Sequence, residues 1–229
     1  GATSLNSVDW VHPQNKNFKA RATAGVSVAH DTRENNTCVG YTTKASTEYS
    51  KDLTKHKFGI FKPKYIRAKL EAFHTSPDFY IASTDSTSRN DRTGGRASGG
   101  LAFNSTSASG SYMRYLSNMQ HKYEGGTLTF DEANISANTN IPKVAALRFN
   151  SNYRFGENSL GRHTDYYYDA NATRDIKEWA TIQAGYRENS YDTRFFKETD
   201  GNKSYKSKYR DIYSQLDVPI PGNHGKFQF

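Results

Sequence analysis

The sequence predicts an all-β protein, with a jelly-roll β-sandwich of two antiparallel sheets and a concave cationic cleft as the favoured arrangement. Three observations predict it. Apolar and polar residues alternate with period two through most of the chain, and helical periodicity is scarce. Turn clusters such as "TRENN", "HTSPD", "GENSLG" and "ETDGNKS" separate the alternating segments at roughly regular spacing. Aromatics make up 14% of the 229 residues while the apolar total is only 34%. That balance suits strands with one polar face, where aromatic and β-branched side chains fit the pleat. The length fits a single all-β domain, residues 1–229, able to bury a core without disulfides.

Taken in order, "FKARATAGVSVAH" sets Ala20, Ala22, Ala24, Val26 and Val28 against Lys19, Arg21, Thr23 and Ser27. "CVGYTTKASTEY" places Val39, Tyr41, Thr43, Ala45 and Thr47 on one face. "KYIRAKLEAF" opposes Ile66, Ala68, Leu70 and Ala72 to Tyr65, Arg67, Lys69 and Glu71. The stretch "RNDRTGGRASGG" is rich in glycine, lacks the Gly-Lys-Ser/Thr ending of a phosphate loop, and reads as a surface loop. "GTLTFDEANIS" and "VAALRFNSNYRF" follow; in the second, Leu147, Phe149, Tyr153 and Phe155 oppose Arg148, Asn150, Asn152 and Arg154. "TDYYYDA", "WATIQAGY" and "YRDIYSQLDVPI" complete the set, and the one plausible helical turn lies near Asp175–Glu178. In "EWATIQAGYRENSYDTRFF" the row Thr181, Gln183, Gly185 and Arg187 faces one way, while Ala180, Ile182, Ala184 and Tyr186 face the other.

The formal net charge is +8, which favours polyanionic partners. The cations are spread over alternating segments and form no basic arm, so an acidic polysaccharide is the expected partner and nucleic acid is not. Cys38 stands alone, which excludes an intrachain disulfide and a thiolate metal site. The histidines are scattered without metal-ligand spacing, so neither a metal nor another cofactor is expected. No Gly-x-Ser-x-Gly elbow and no Glu-x-Asp-x-Glu strand pattern is present.

Arg, Lys, Gln, His and Tyr in alternating rows suit β-elimination on a uronic acid polymer. Cations neutralise the substrate carboxylate and make the neighbouring C–H acidic. A base and an acid then move the proton and release the leaving oxygen. Arg67 and Lys69 share a strand face, Gln120 and His121 lie mid-chain, and Gln183, Tyr186 and Arg187 lie near the end.

In this order the chain resembles the jelly-roll alginate lyases. Arg67-Ala68-Lys69-Leu70-Glu71 resembles their Arg-x-Glu-Leu-Arg strand with charges exchanged, and Gln120-His121 resembles their Gln-Ile-His strand without its spacer. Thr181 to Tyr186 resembles their Tyr-Phe-Lys-Ala-Gly-x-Tyr strand, and "YRDIYSQLDV" their closing strand. The tyrosine here directly follows Gly185, and Arg187 takes the place two residues on. The resemblance implies a secreted or periplasmic lyase, acting as a monomer without cofactor. Its expected catalytic residues are His121 as base and Tyr186 or Tyr167 as acid, with Tyr166 and Tyr168 as rivals. Arg67, Lys69, Gln120, Gln183, Arg187 and Arg148 are the expected substrate contacts.

Other classes fit the same pattern: an outer-membrane β-barrel channel for acidic oligosaccharides, a non-catalytic glycan-binding module, and a jelly-roll shell protein. In the barrel the apolar rows face lipid and the polar rows line a channel. Two segments weigh against it. Asp131 and Glu132 put an acid on either face of one strand, and Lys62 and Lys64 share the face of Phe58 and Ile60 unless a bulge intervenes. Lysines facing lipid at the midplane cost ~2–4 kcal/mol each. The aromatic ending "KFQF" is in the barrel's favour.

Overall fold

The computed structural model describes residues 3–11, 17–31, 36–55, 63–76, 91–117, 126–176, 180–197, 199, 203–219 and 226–228. The strands are β1 (Thr3–Val11), β2 (Phe18–Asp31), β3 (Asn36–Asp52), β4 (Pro63–Thr75), β5 (Arg92–Phe103) and β6 (Thr106–Ser117). They continue with β7 (Leu128–Ile141), β8 (Ala145–Asn158), β9 (Gly161–Ile176), β10 (Ala180–Phe195), β11 (Tyr205–Pro219) and β12 (Lys226–Gln228). Of the expected helical turn, Asp175 and Ile176 belong to β9, and 177–179 lie outside the described residues.

The all-β expectation holds; the two-sheet sandwich does not appear. The strands form one open antiparallel sheet in the order β1 to β12, each paired with its neighbour in sequence. A jelly roll needs strands that cross between two sheets. Here consecutive strands join as hairpins, some as tight as the 104–105 connection, and every long strand stays beside its chain neighbour. Period-two alternation is identical in both architectures, because it follows from the pleat and not from what covers the face.

Two further expectations change. The glycine-rich loop is largely strand β5. A Cβ at position 94 would lie 2.3 Å from the Arg114 carbonyl oxygen and 2.5 Å from Tyr115 Cβ. Glycine there lets β5 and β6 approach. Strands β1 and β6, which have weaker alternation, also join the sheet.

The sheet is curved. Arg67 on β4 and Tyr167 on β9 line the same cavity. Five strand spacings on a flat sheet would set them roughly 24 Å apart. The concave row carries Arg67, Lys69 and Glu71 of β4, paired across the ladder with Gly100, Ser98 and Arg96 of β5. The outward row carries apolar side chains left uncovered: Val8 is 73% exposed, Leu70 61% and Ile212 85%. Among the described residues the buried apolar cluster is small, with Phe73, Met113 and Tyr115 packed against Phe130. These four belong to the concave row, where Phe73, Gly94, Tyr115, Phe130 and Gly156 face one another along the ladder.

Charge on the outward row is confined. The row is free of Asp, Glu, Lys and Arg from Phe18 to Val28 on β2 and from Val39 to Tyr49 on β3. Toward the β10–β11 hairpin it ends at Tyr112 on β6, before Arg114, and only at Ile212 on β11, below Arg210. Followed across the ladder from β6 to β11, this limit shifts by four residues in all, unevenly: it reaches Phe155 on β8 and Thr164 on β9, then falls back to Tyr186 on β10.

Candidate functional site

The concave face brings three walls together. The first is cationic and comes from β3 to β5. Arg67 Nε lies 3.0 Å from Glu48 Oε1. Lys69 Nζ is 3.0 Å and Lys44 Nζ 3.3 Å from the same oxygen of Glu71, whose side chain is 6% exposed. Two lysines on one buried carboxylate leave a positive surplus. Arg96 lines the same cavity and makes no ion pair among the described residues. The cavity, about 640 Å³, is therefore bordered on one side by cations whose neutralisation is incomplete.

The second wall, from β6 to β8, is neutral and rich in donors and acceptors. Ser109 and Ser136 hydroxyls are 2.7 Å apart. Asn152 Nδ2 donates to Asn134 Oδ1 at 2.5 Å, and Asn134 Nδ2 donates to Glu132 Oε1 at 2.8 Å. Amides locked by one another keep fixed orientations and present their remaining hydrogen-bonding capacity to the cavity.

The third wall, from β9 to β11, is built on Asp169, which is 5% exposed. It accepts hydrogen bonds from Arg187 Nε at 3.1 Å, Asn171 Nδ2 at 2.8 Å, Tyr167 OH at 3.2 Å and Tyr213 OH at 3.4 Å. The Arg187 guanidinium carbon is 5.3 Å from the centre of the Tyr213 ring. A buried charge with this many donors is adequately compensated. Tyr213 stands directly opposite Gly185 in the ladder, and its ring lies over that glycine. A Cβ at position 185 would come within 2.6 Å of the ring and 2.9 Å of the Ala170 carbonyl oxygen. Gly185→Ala is therefore expected to displace Tyr213 and destabilise the fold by about 1–3 kcal/mol. A double-mutant cycle with Tyr213→Ala checks this; the part of the loss caused by the ring should vanish when the ring is already absent, while the part from the Ala170 carbonyl oxygen remains.

Of the expected site residues, Arg67, Lys69 and Tyr167 converge on the cavity. Arg187 shares the Asp169 hub with Tyr167. Gln183 lies on the concave row between Thr173 and Gln215, and Arg148 on the same row between Asn138 and Asn171. Gln120 and His121 lie outside the described residues. Tyr186 points to the outward face, as alternation implies. Its hydroxyl donates to Glu188 Oε2 at 2.5 Å. Glu188 also takes Tyr166 OH at 3.0 Å, Lys208 at 2.7 Å and Arg210 at 2.9 Å. The β10 register is continuous with both neighbours, so no bulge at Gly185 turns Tyr186 inward. Tyr186 and Tyr166 are thus separated from the concave cavity by the sheet itself.

Three concave residues escape sequence reasoning. Arg96 is hidden in a glycine-rich stretch. Asp169 is one acid among many, and only its neighbours across the ladder make it a hub. Tyr213 belongs to a row, Tyr205, Tyr209 and Tyr213, whose four-residue spacing keeps all three on one face. That spacing is the signal that was available.

Asp131 is outward, held by the Tyr112 hydroxyl and lying 3.8 Å from Arg114 Nε, at the margin of the uncharged band. Glu132 is concave and 3.7 Å from Arg154. A register shift interrupts the β4–β5 ladder between Pro63 and Tyr65, at Lys64, while Phe58, Ile60 and Lys62 lie outside the described residues. No helix among the described residues is long and apolar enough to cross a membrane, which has no bearing on strands. Among the same residues no group of three or more His, Cys, Asp or Glu is placed to hold a metal ion. Compared with family models, characterised proteins and solved structures, the chain matches none.

Proposed function

We propose that the chain is an outer-membrane β-barrel channel that passes acidic oligosaccharides. The observation that carries this reading is the uncharged band on the outward face of a sheet made only of sequential hairpins. Water-soluble proteins rarely leave an apolar face this wide uncovered. Lipid accepts it, provided the strands close so that no backbone edge meets hydrocarbon. Closure would bring β1 to the β11–β12 edge. The concave face then becomes the channel lining, polar as porin interiors are. Its cationic wall suits carboxylates, and the Ser/Asn wall suits sugar hydroxyls.

The test is a planar-bilayer recording with a hexauronate as the probe. Wild-type channels should favour anions and be blocked by the hexauronate. Replacing Arg67, Lys69 and Arg96 together by Gln should weaken that block by about tenfold or more, as expected when charge-assisted hydrogen bonds are lost. A chain that folds without detergent or lipid and forms no channel would overturn the reading.

One observation keeps a second reading in play. Tyr167, an expected catalytic acid, borders the cavity that holds Arg67 and Lys69. A polysaccharide lyase acting on a uronan would release an unsaturated sugar that absorbs in the ultraviolet. No such product from a panel of polyuronates would end that reading.

A further inference from the structure

The tyrosines of β11 have no role in the cationic wall. Tyr205, Tyr209 and Tyr213 all lie on the concave row, alternating there with Ser207, Asp211 and Gln215. The exposures of Tyr205 and Tyr209 are 50% and 58%, although their row faces the concave side. Rings so uncovered on the inner side of a curved sheet are available to a guest. The row is extended sideways by its neighbours. Tyr191 stacks on Tyr205 with ring centres 5.1 Å apart at 27°, and His163 lies 4.3 Å from Tyr191. At the other end, Tyr213 is fixed by Asp169 and by Gly185 beneath it.

We infer that this row is a sugar-stacking track, running along the channel on the wall opposite the cations and gripping pyranose rings by their apolar C–H faces irrespective of charge. The inference rests on the channel reading for its location, and it deepens that reading. Aromatic faces take the apolar side of a ring, and polar residues between them take hydroxyls, so the alternation of Tyr with Ser, Asp and Gln on one face matches the amphipathic surface of an oligosaccharide. The cationic wall reads the carboxylate, and the track reads the ring. A neutral oligosaccharide therefore binds too, through the track alone.

The experiment uses the full chain folded in lipid nanodiscs, with neutral cellohexaose and a hexauronate as probes and saturation-transfer NMR as the readout. Wild type should transfer saturation to the axial C–H protons of cellohexaose. Tyr209→Ala should weaken cellohexaose binding by about three- to tenfold, the scale of one aromatic contact, while Tyr209→Phe retains it. Tyr205→Ala with Tyr209→Ala should abolish it. Heat-modifiable gel migration confirms that each variant is folded. Cellohexaose that fails to bind wild type, or binds the double variant unchanged, overturns the track. Failure of the channel reading shows separately, as absent conductance, whereas failure of the track leaves conductance and hexauronate block in place.

Discussion

On the proposed barrel, Phe149→Arg should destabilise the folded chain in lipid vesicles by about 2–4 kcal/mol, the cost of a cation facing lipid near the midplane. Phe149 is on the outward row of β8, 37% exposed, with Ala137 and Ala170 as its ladder partners. Its neighbour Asn150 faces the concave side and lines the cavity. Asn150→Arg places the same charge one residue away, on the other face, and should leave stability nearly unchanged while raising anion selectivity. Urea titrations of the two variants in vesicles make the comparison. The contrast separates the membrane reading from a water-facing sheet, on which arginine at a partly exposed position costs little. Equal stability of Phe149→Arg and wild type would count against a lipid-facing surface.

Asp169→Ala should produce the second large effect, with two signs. Removing the carboxylate leaves Arg187, Tyr167, Tyr213 and Asn171 without their common acceptor. Unsatisfied donors at a buried site cost about 1–3 kcal/mol, and the Arg187 side chain, 44% exposed, recovers part of its share from water. Stability should fall by that amount. Anion selectivity should rise at the same time, because a negative charge is lost and the guanidinium is released toward the concave side. Asp169→Asn keeps some acceptors, so it should fall between the two in stability yet match Asp169→Ala in charge. Reversal potentials under a salt gradient, read beside urea midpoints, check both signs. A stability loss without a selectivity change would place Asp169 away from the conducting path.

Both predictions turn on which face a residue occupies, and that much was written in the alternation. Gln183 and Arg187 on one row with Tyr186 on the other, Leu147 and Phe149 against Arg148 and Asn150, and Arg67 with Lys69 all stand on the faces the sequence implied. What alternation misjudged were segments where side chains are small. Strand β5 looks like a loop because glycine is a turn residue by local preference. Its position between β4 and β6 rewards the absence of Cβ. Strand β6, "TSASGSYMRYLS", is similarly rich in small polar residues and alternates weakly.

The sequence by itself determined the all-β class and the two faces of most strands. These follow from the pleat, whose two-residue period is local and does not depend on neighbours. Only the tertiary structure decided that the strands form one curved sheet in sequential order. It also decided that Arg67 and Lys69 meet Tyr167 across the curve, and that the charge-free band lies on the outside. Those are properties of pairing, stagger and curvature, which arise between strands distant in sequence. An apolar row reads the same whether it will face a second sheet or a lipid tail. The order in which the strands pair shows that, among the described residues, no second sheet covers it.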